Sequence, residues 1–106
     1  MREADWQRQV IDLAHLHGWR IFHARPAQNA RGDWRTPVAA DGNGFPDLVM
    51  VRDRVLFVEL KSDRGRLTAE QRHWIDALEQ SGAEVHVWKP DQFDEVHAVL
   101  KETTRA

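Results

Sequence analysis

The chain has no cysteine. Disulfides and thiolate metal sites are therefore excluded, and the composition fits a reducing cytosol. No apolar run approaches the roughly 18 residues of a membrane helix. The start, Met1-Arg2-Glu3-Ala4-Asp5, is charged and lacks the apolar core of a secretion signal. Internal repeats and low-complexity tracts are missing too. Nor is there an excess of one charge, since the net charge is −2 with 30% of residues charged. Any phosphate-binding surface must therefore be local. At 106 residues, the expectation is one domain spanning 1–106 with a modest core.

Periodicity supplies the elements. Residues 3–17 space Trp6, Val10, Leu13, Ala14 and His17 as an amphipathic helix does, and Gly18 ends it. A helix already formed at position 3 puts Glu3 on the face of Val10 and Ala14. Trp19 to His23 predicts a short strand. Residues 47–51 and 55–61 predict a hairpin of buried strands around Arg52-Asp53-Arg54. A loop containing Arg64, Gly65 and Arg66 leads to a helix from about Thr68 to Ser81. There Thr68 and Gln71 have capping-box spacing, and Gln71, Trp74, Ile75 and Leu78 form the inward stripe. Val85 to Trp88 predicts a final strand, and Pro90-Asp91 opens a last helix carrying Phe93, Val96 and Leu100. The order α-β-β-β-α-β-α predicts an α/β fold, a mixed sheet flanked by helices.

Residues 24–46 show no period. Within 18–37, Arg20, Arg25, Arg31 and Arg35 are opposed only by Asp33. A loop of this length in so small a domain is functional or disordered. Two readings stand: a solvated loop, or a flexible basic arm at about 25–43 that grips phosphates and orders on binding. Trp34, inside it, has two uses, stacking on a base or packing against its own loop.

The chemistry concentrates on the hairpin. Gly44-Phe45-Pro46-Asp47 opens its first strand and Glu59-Leu60-Lys61 closes its second. Charges at the ends of buried strands cost free energy unless a partner or ligand compensates them. Two carboxylates make a hard-oxygen site for Mg²⁺ or Mn²⁺, and a lysine adds a point charge beside it. Side-chain alternation puts Val55, Phe57, Glu59 and Lys61 on one face and Leu56, Val58 and Leu60 on the other. Asp47 meets Glu59 only if Val51 pairs with Val55, leaving Arg52-Asp53-Arg54 as a three-residue loop. A two-residue turn would move Asp47 to the wrong face. Each piece alone is weak, because Gly-Phe-Pro-Asp is a common turn into a strand and Glu-x-Lys is more often a surface ion pair. The conjunction is specific. The six histidines show no spacing of a zinc site.

These motifs resemble the PD-(D/E)xK nuclease superfamily, and within it the VRR-NUC, or virus-type replication-repair nuclease, family in its small stand-alone phage and bacterial form. The resemblance runs over about residues 3–100 and includes the Glu3 helix, Gly18-Trp19, Gln71 and the closing Val85-His86-Val87-Trp88-Lys89-Pro90. It implies divalent-metal-dependent DNA cleavage by homodimers acting on branched DNA such as four-way junctions, with room for a helicase or replication-repair partner. Carried over residue by residue, it implies Asp47, Glu59 and the main-chain carbonyl of Leu60 as metal ligands. Lys61 would position or help deprotonate the attacking water, Glu3 would complete the site, and Gln71 would stand beside it. Gln71 serving only its capping box and Glu3 as a plain surface carboxylate remain open. Arg25, Arg31, Arg35, Arg64 and Arg66 are the candidate DNA contacts. Two rivals remain: a non-catalytic DNA-binding or assembly module that kept the fold, and a restriction-like nuclease that reads a sequence.

Overall fold

The computed structural model describes residues 1–24 and 39–103 in full, and residues 27–28 and 34–35 as backbone. A first helix, α1 (Glu3–Leu16), leads into β1 (Arg20–His23). Two short strands follow, β2 (Ala27–Gln28) and β3 (Trp34–Arg35), and then the hairpin β4 (Leu48–Val51) and β5 (Val55–Leu60). Helix α2 (Ala69–Gln80), strand β6 (Glu84–Trp88), a 3-10 turn (Pro90–Gln92) and α3 (Phe93–Lys101) complete the chain.

The main sheet has the order β1-β4-β5-β6, with β1, β4 and β5 antiparallel and β5 and β6 parallel. A parallel pair needs a crossover, and α2 is that crossover. The α/β class and the expected order of the main elements therefore hold. The long region read as aperiodic contains one addition, the two-residue ladder that pairs Ala27 with Arg35 and Gln28 with Trp34. Strands of two residues are too short to show any period.

The two faces of the sheet differ as the alternation in β5 requires. Leu56, Val58 and Leu60, with Leu48 and Met50 opposite, are fully buried in one core with Trp6, Val10 and Ala14 of α1 and Val96 and Leu100 of α3. Each leucine, valine or methionine among them contributes about 1.5–3 kcal/mol by leaving water. The other face carries Phe57 and Glu59 and is met by α2, whose buried residue is Ile75. Two indole N–H groups stitch the core to backbone far away in sequence. Trp6 donates to the carbonyl of Trp88 at 3.1 Å, and Trp19 donates to that of Leu100 at 2.8 Å.

The hairpin tip works as a clamp. Arg52 donates to the carbonyls of His17, Leu100 and Glu102, and Arg54 to those of Val99 and Glu102. These are the open carbonyls at the ends of α1 and α3, where cations are favoured. The Arg52 guanidinium also lies 4.4 Å from the centre of the Trp19 ring.

Candidate active site

Asp47 and Glu59 are brought together by hairpin register. Val51 pairs with Val55 and Leu48 with Val58, so the antiparallel ladder puts Asp47 directly across from Glu59 on the same face. Arg52-Asp53-Arg54 is the loop, as the metal-site reading demands. Asp47 then takes over where the ladder stops, its Oδ2 accepting from the backbone N–H of Leu60 at 3.1 Å.

The turn before Asp47 is fixed by a close approach. Gly44 has φ +85°, and a Cβ placed there would stand 2.5 Å from the carbonyl carbon of Glu70. Only glycine meets both conditions. Phe45 packs edge-on against Phe57 and Trp74, with ring centres 6.0 and 5.0 Å away, and Pro46 is buried. The loop is thereby pinned to α2 as well as to the sheet.

Glu59 is the one buried charged residue among those described, at 1% exposure. Its Oε2 accepts from Gln71 Nε2 at 3.1 Å and lies 3.8 Å from Lys61 Nζ. Its Oε1 is buried without a hydrogen-bond partner among the described residues. Burial raises its pKa most, and the charge of Asp47 and a hydrogen bond shared with it raise it further. Lys61 pulls the other way and loses, so the carboxyl sits at about 8. With nothing bound, this pair holds a proton at neutral pH. A divalent cation would satisfy the same two carboxylates, the buried Glu59 Oε1 among their oxygens, in place of that proton, so the donor set fits one.

Lys61 is largely enclosed, with its side chain 11% exposed. The carbonyl of Trp88 accepts from Lys61 N at 3.0 Å, and the same carbonyl receives the Trp6 indole. The first turn of α1 is thus tied, through Trp88, to the end of β5 that carries Glu59 and Lys61. Glu3, one turn before Trp6, is exposed there. Among the described residues no group of three carboxylates or imidazoles is gathered as a metal cluster. Helical period placed Glu3 on the face of Val10 and Ala14. The helix end nevertheless leaves it in solvent, because burial in α1 begins only at Trp6.

Gln71 both caps its helix and hydrogen-bonds Glu59. Its Oε1 accepts from Thr68 N at 2.9 Å and Thr68 Oγ1 accepts from Gln71 N, a complete capping box. Its Nε2 is left to face Glu59. Arg64 and Arg66 are exposed in the loop after Lys61. That loop turns at Gly65, where a Cβ would come within 3.3 Å of the Lys61 side chain. The side chains of Arg25, Arg31, Trp34 and Arg35, and the flexible arm proposed at about 25–43 apart from its described portions, lie outside the described residues.

The VRR-NUC domain model matches residues 5–91. The chain belongs to the VRR-NUC family. The match covers Asp47, Glu59, Lys61 and Gln71, and starts after Glu3. VRR-NUC domains are nucleases of the PD-(D/E)xK type, and this type typically uses divalent metals. No curated protein and no solved structure matches the chain. Among the described residues no helix is long and apolar enough to cross a membrane.

Proposed function

We propose that this VRR-NUC chain is a divalent-metal-dependent endodeoxyribonuclease that hydrolyses phosphodiester bonds in branched DNA, four-way junctions in particular, as a homodimer. One observation carries the reading: Asp47 and a buried Glu59 meet on one face across the hairpin. Asp47 and Glu59 would hold Mg²⁺ or Mn²⁺, with the carbonyl of Leu60 and the carboxylate of Glu3 as further candidates. When bound, the ion supplies Lewis-acid polarisation of the phosphate and a water made acidic enough to ionise near neutral pH.

The remaining work falls to this chain's own residues. As water attacks phosphorus in line with the bridging bond that breaks, Lys61 would orient the water and stabilise the charge gathering on the phosphate oxygens. Gln71 would keep Glu59 Oε2 turned away, leaving Oε1 directed at the site. Arg64 and Arg66 would hold neighbouring phosphates. Arg25, Arg31 and Arg35 share that role in the proposal.

Resolving a junction takes two cuts on opposing strands, and one small domain has room for one site. A two-fold pair is the simplest arrangement that supplies both. Phe22, Val51 and Val55, 63%, 42% and 43% exposed, offer a second copy apolar surface to cover. A cytoplasmic setting and a helicase or replication-repair partner belong to the same reading.

The test offers purified protein, with Mg²⁺ or Mn²⁺, linear duplex, single-stranded, flap and four-way-junction DNA. Metal-dependent cuts concentrated at the branch are expected. Binding without cleavage under every condition would make the chain a DNA-binding module instead.

A further inference from the structure

Beside the Gly44–Glu70 contact the surface opens into a cavity of about 430 Å³. Its walls include Asp41, Asn43, Glu70, Trp74 and Ala77. The size is that of a small-ligand site. Trp74 is held rigid in it: the indole N–H donates to the carbonyl of Asp41 at 2.8 Å, and Phe45 packs edge-on 5.0 Å away. A fixed aromatic wall suits stacking by a flat ring.

Charge narrows the ligand. Two acidic residues, Asp41 and Glu70, and one imidazole, His73, line the cavity, and among the described residues no lysine or arginine does. A phosphate is repelled, while a ring bearing N–H donors is welcomed. Asn43 adds one donor group and one acceptor. Adenine, cytosine and guanine carry amino groups of the kind carboxylates accept from, and thymine carries none.

Position supplies the rest. Asn43 on one wall leads along the chain through Gly44 to Asp47, and Glu70 on the other is the residue before Gln71. Both walls are thus continuous in sequence with residues of the candidate active site. A base still paired in a duplex must first be unstacked to enter, whereas a base at a branch is already free. We propose, building on the nuclease reading above, that this cavity takes one unpaired nucleobase flanking the scissile phosphate. It thereby selects DNA whose strands part, with amino-bearing bases preferred to thymine.

The test uses full-length protein carrying Lys61→Ala, with Mg²⁺, and flap DNA bearing 2-aminopurine, thymine or an abasic residue at the branch. Binding should quench 2-aminopurine emission. The base-bearing flap should bind about ten-fold or more tighter than the abasic one, the scale of one base stacked on an aromatic side chain. Ala77→Leu, which fills the cavity from an exposed helix position, and Asn43→Ala should each bring that ratio toward one. Equal affinity for base-bearing and abasic flaps, or a ratio that neither substitution moves, overturns the proposal. So does a drop in solution mass on Ala77→Leu with the ratio unchanged, which would give the cavity to a protein partner. Wild-type cleavage is scored separately. Cleavage with a ratio of one defeats the base site alone, and base discrimination without any cleavage defeats the nuclease reading alone.

Discussion

Gln71 donates from Nε2 to Glu59 Oε2 at 3.1 Å while its own Oε1 is held by the backbone N–H of Thr68 at 2.9 Å. The cap that starts α2 is thus also the device that aims an amide at the buried carboxylate. Gln71→Ala should lower stability by about 1 kcal/mol through the lost cap, and should lower cleavage at least about ten-fold through a misdirected Glu59. Thr68→Ala loses the reciprocal half of the cap but keeps the backbone N–H that holds the amide. It should cost similar stability and much less activity. Thermal melts and kcat on the same preparations separate the two, and equal activity losses would reduce Gln71 to a cap.

Gly44 is the second dependency of the site on α2. Gly44→Ala meets a left-handed backbone and the Glu70 carbonyl carbon at 2.5 Å at once. Since that contact is backbone, no side-chain swing relieves it. A loss of at least about 2 kcal/mol in urea unfolding is expected, with cleavage falling further than stability because Asp47 moves with the turn. A variant as stable and active as the parent would show that the contact is loose.

Much of this arrangement was legible in the sequence, and the reason is geometric. A strand has period two, so Glu59 and Lys61 had to share a face with Phe57. The requirement that Asp47 join them then selected the three-residue loop. What could not be read was anything joining distant segments without a periodic signal. The Trp6–Trp88 bond, the Gly44–Glu70 contact and the clamping of helix ends by Arg52 and Arg54 are of this kind. Glu3 marks a different limit. Period assigns a face of α1 but not the point along its axis where burial begins, and Glu3 is exposed in the turn before Trp6.

The Glu59 carboxyl gives a pH signature. Its folded pKa of about 8 lies above the ordinary 4.5, so the folded chain binds more protons than the unfolded one between those values. Stability is then fully present below about pH 4.5 and is lost as pH rises through about 8. Metal-free melting temperatures should fall by several degrees from pH 5 to pH 8.5, and Glu59→Gln should flatten the curve. Glu84 acts at the other end. Burial pushes its carboxyl up, but hydrogen bonds from Arg54 and His86 and their charges hold it below 4.5. Its contribution is present above that value and lost in acid. A flat wild-type curve between pH 5 and 8.5 would contradict the buried-proton account.

If the proton on the carboxylate pair stands where a cation belongs, metal binding must displace it. Mn²⁺ at about 100 times its dissociation constant should stabilise the fold by about 2.7 kcal/mol, and the gain should shrink as pH falls below 8. Asp47→Asn should abolish it. Calorimetry in two buffers of different ionisation enthalpy would count the released protons directly. Stabilisation that persists in Asp47→Asn would move the ion elsewhere.

Lys61 distinguishes charge at the reaction from charge in the fold. Its Nζ lies 3.8 Å from a buried carboxylate, so Lys61→Ala removes both the cation proposed to act on the phosphate and a charge that favours ionised Glu59. Cleavage should fall by about 10²–10³, the cost of losing one preorganised electrostatic contact. The metal-free chain should lose little stability near neutral pH, because Glu59 is protonated there and needs no counter-charge. DNA binding should weaken only slightly, since the other basic residues remain. Lys61→Arg keeps the charge but not the compact ammonium, and should restore binding more than rate. Full turnover by Lys61→Ala on DNA that the parent cuts would remove this lysine from the mechanism and leave the two carboxylates to act without it.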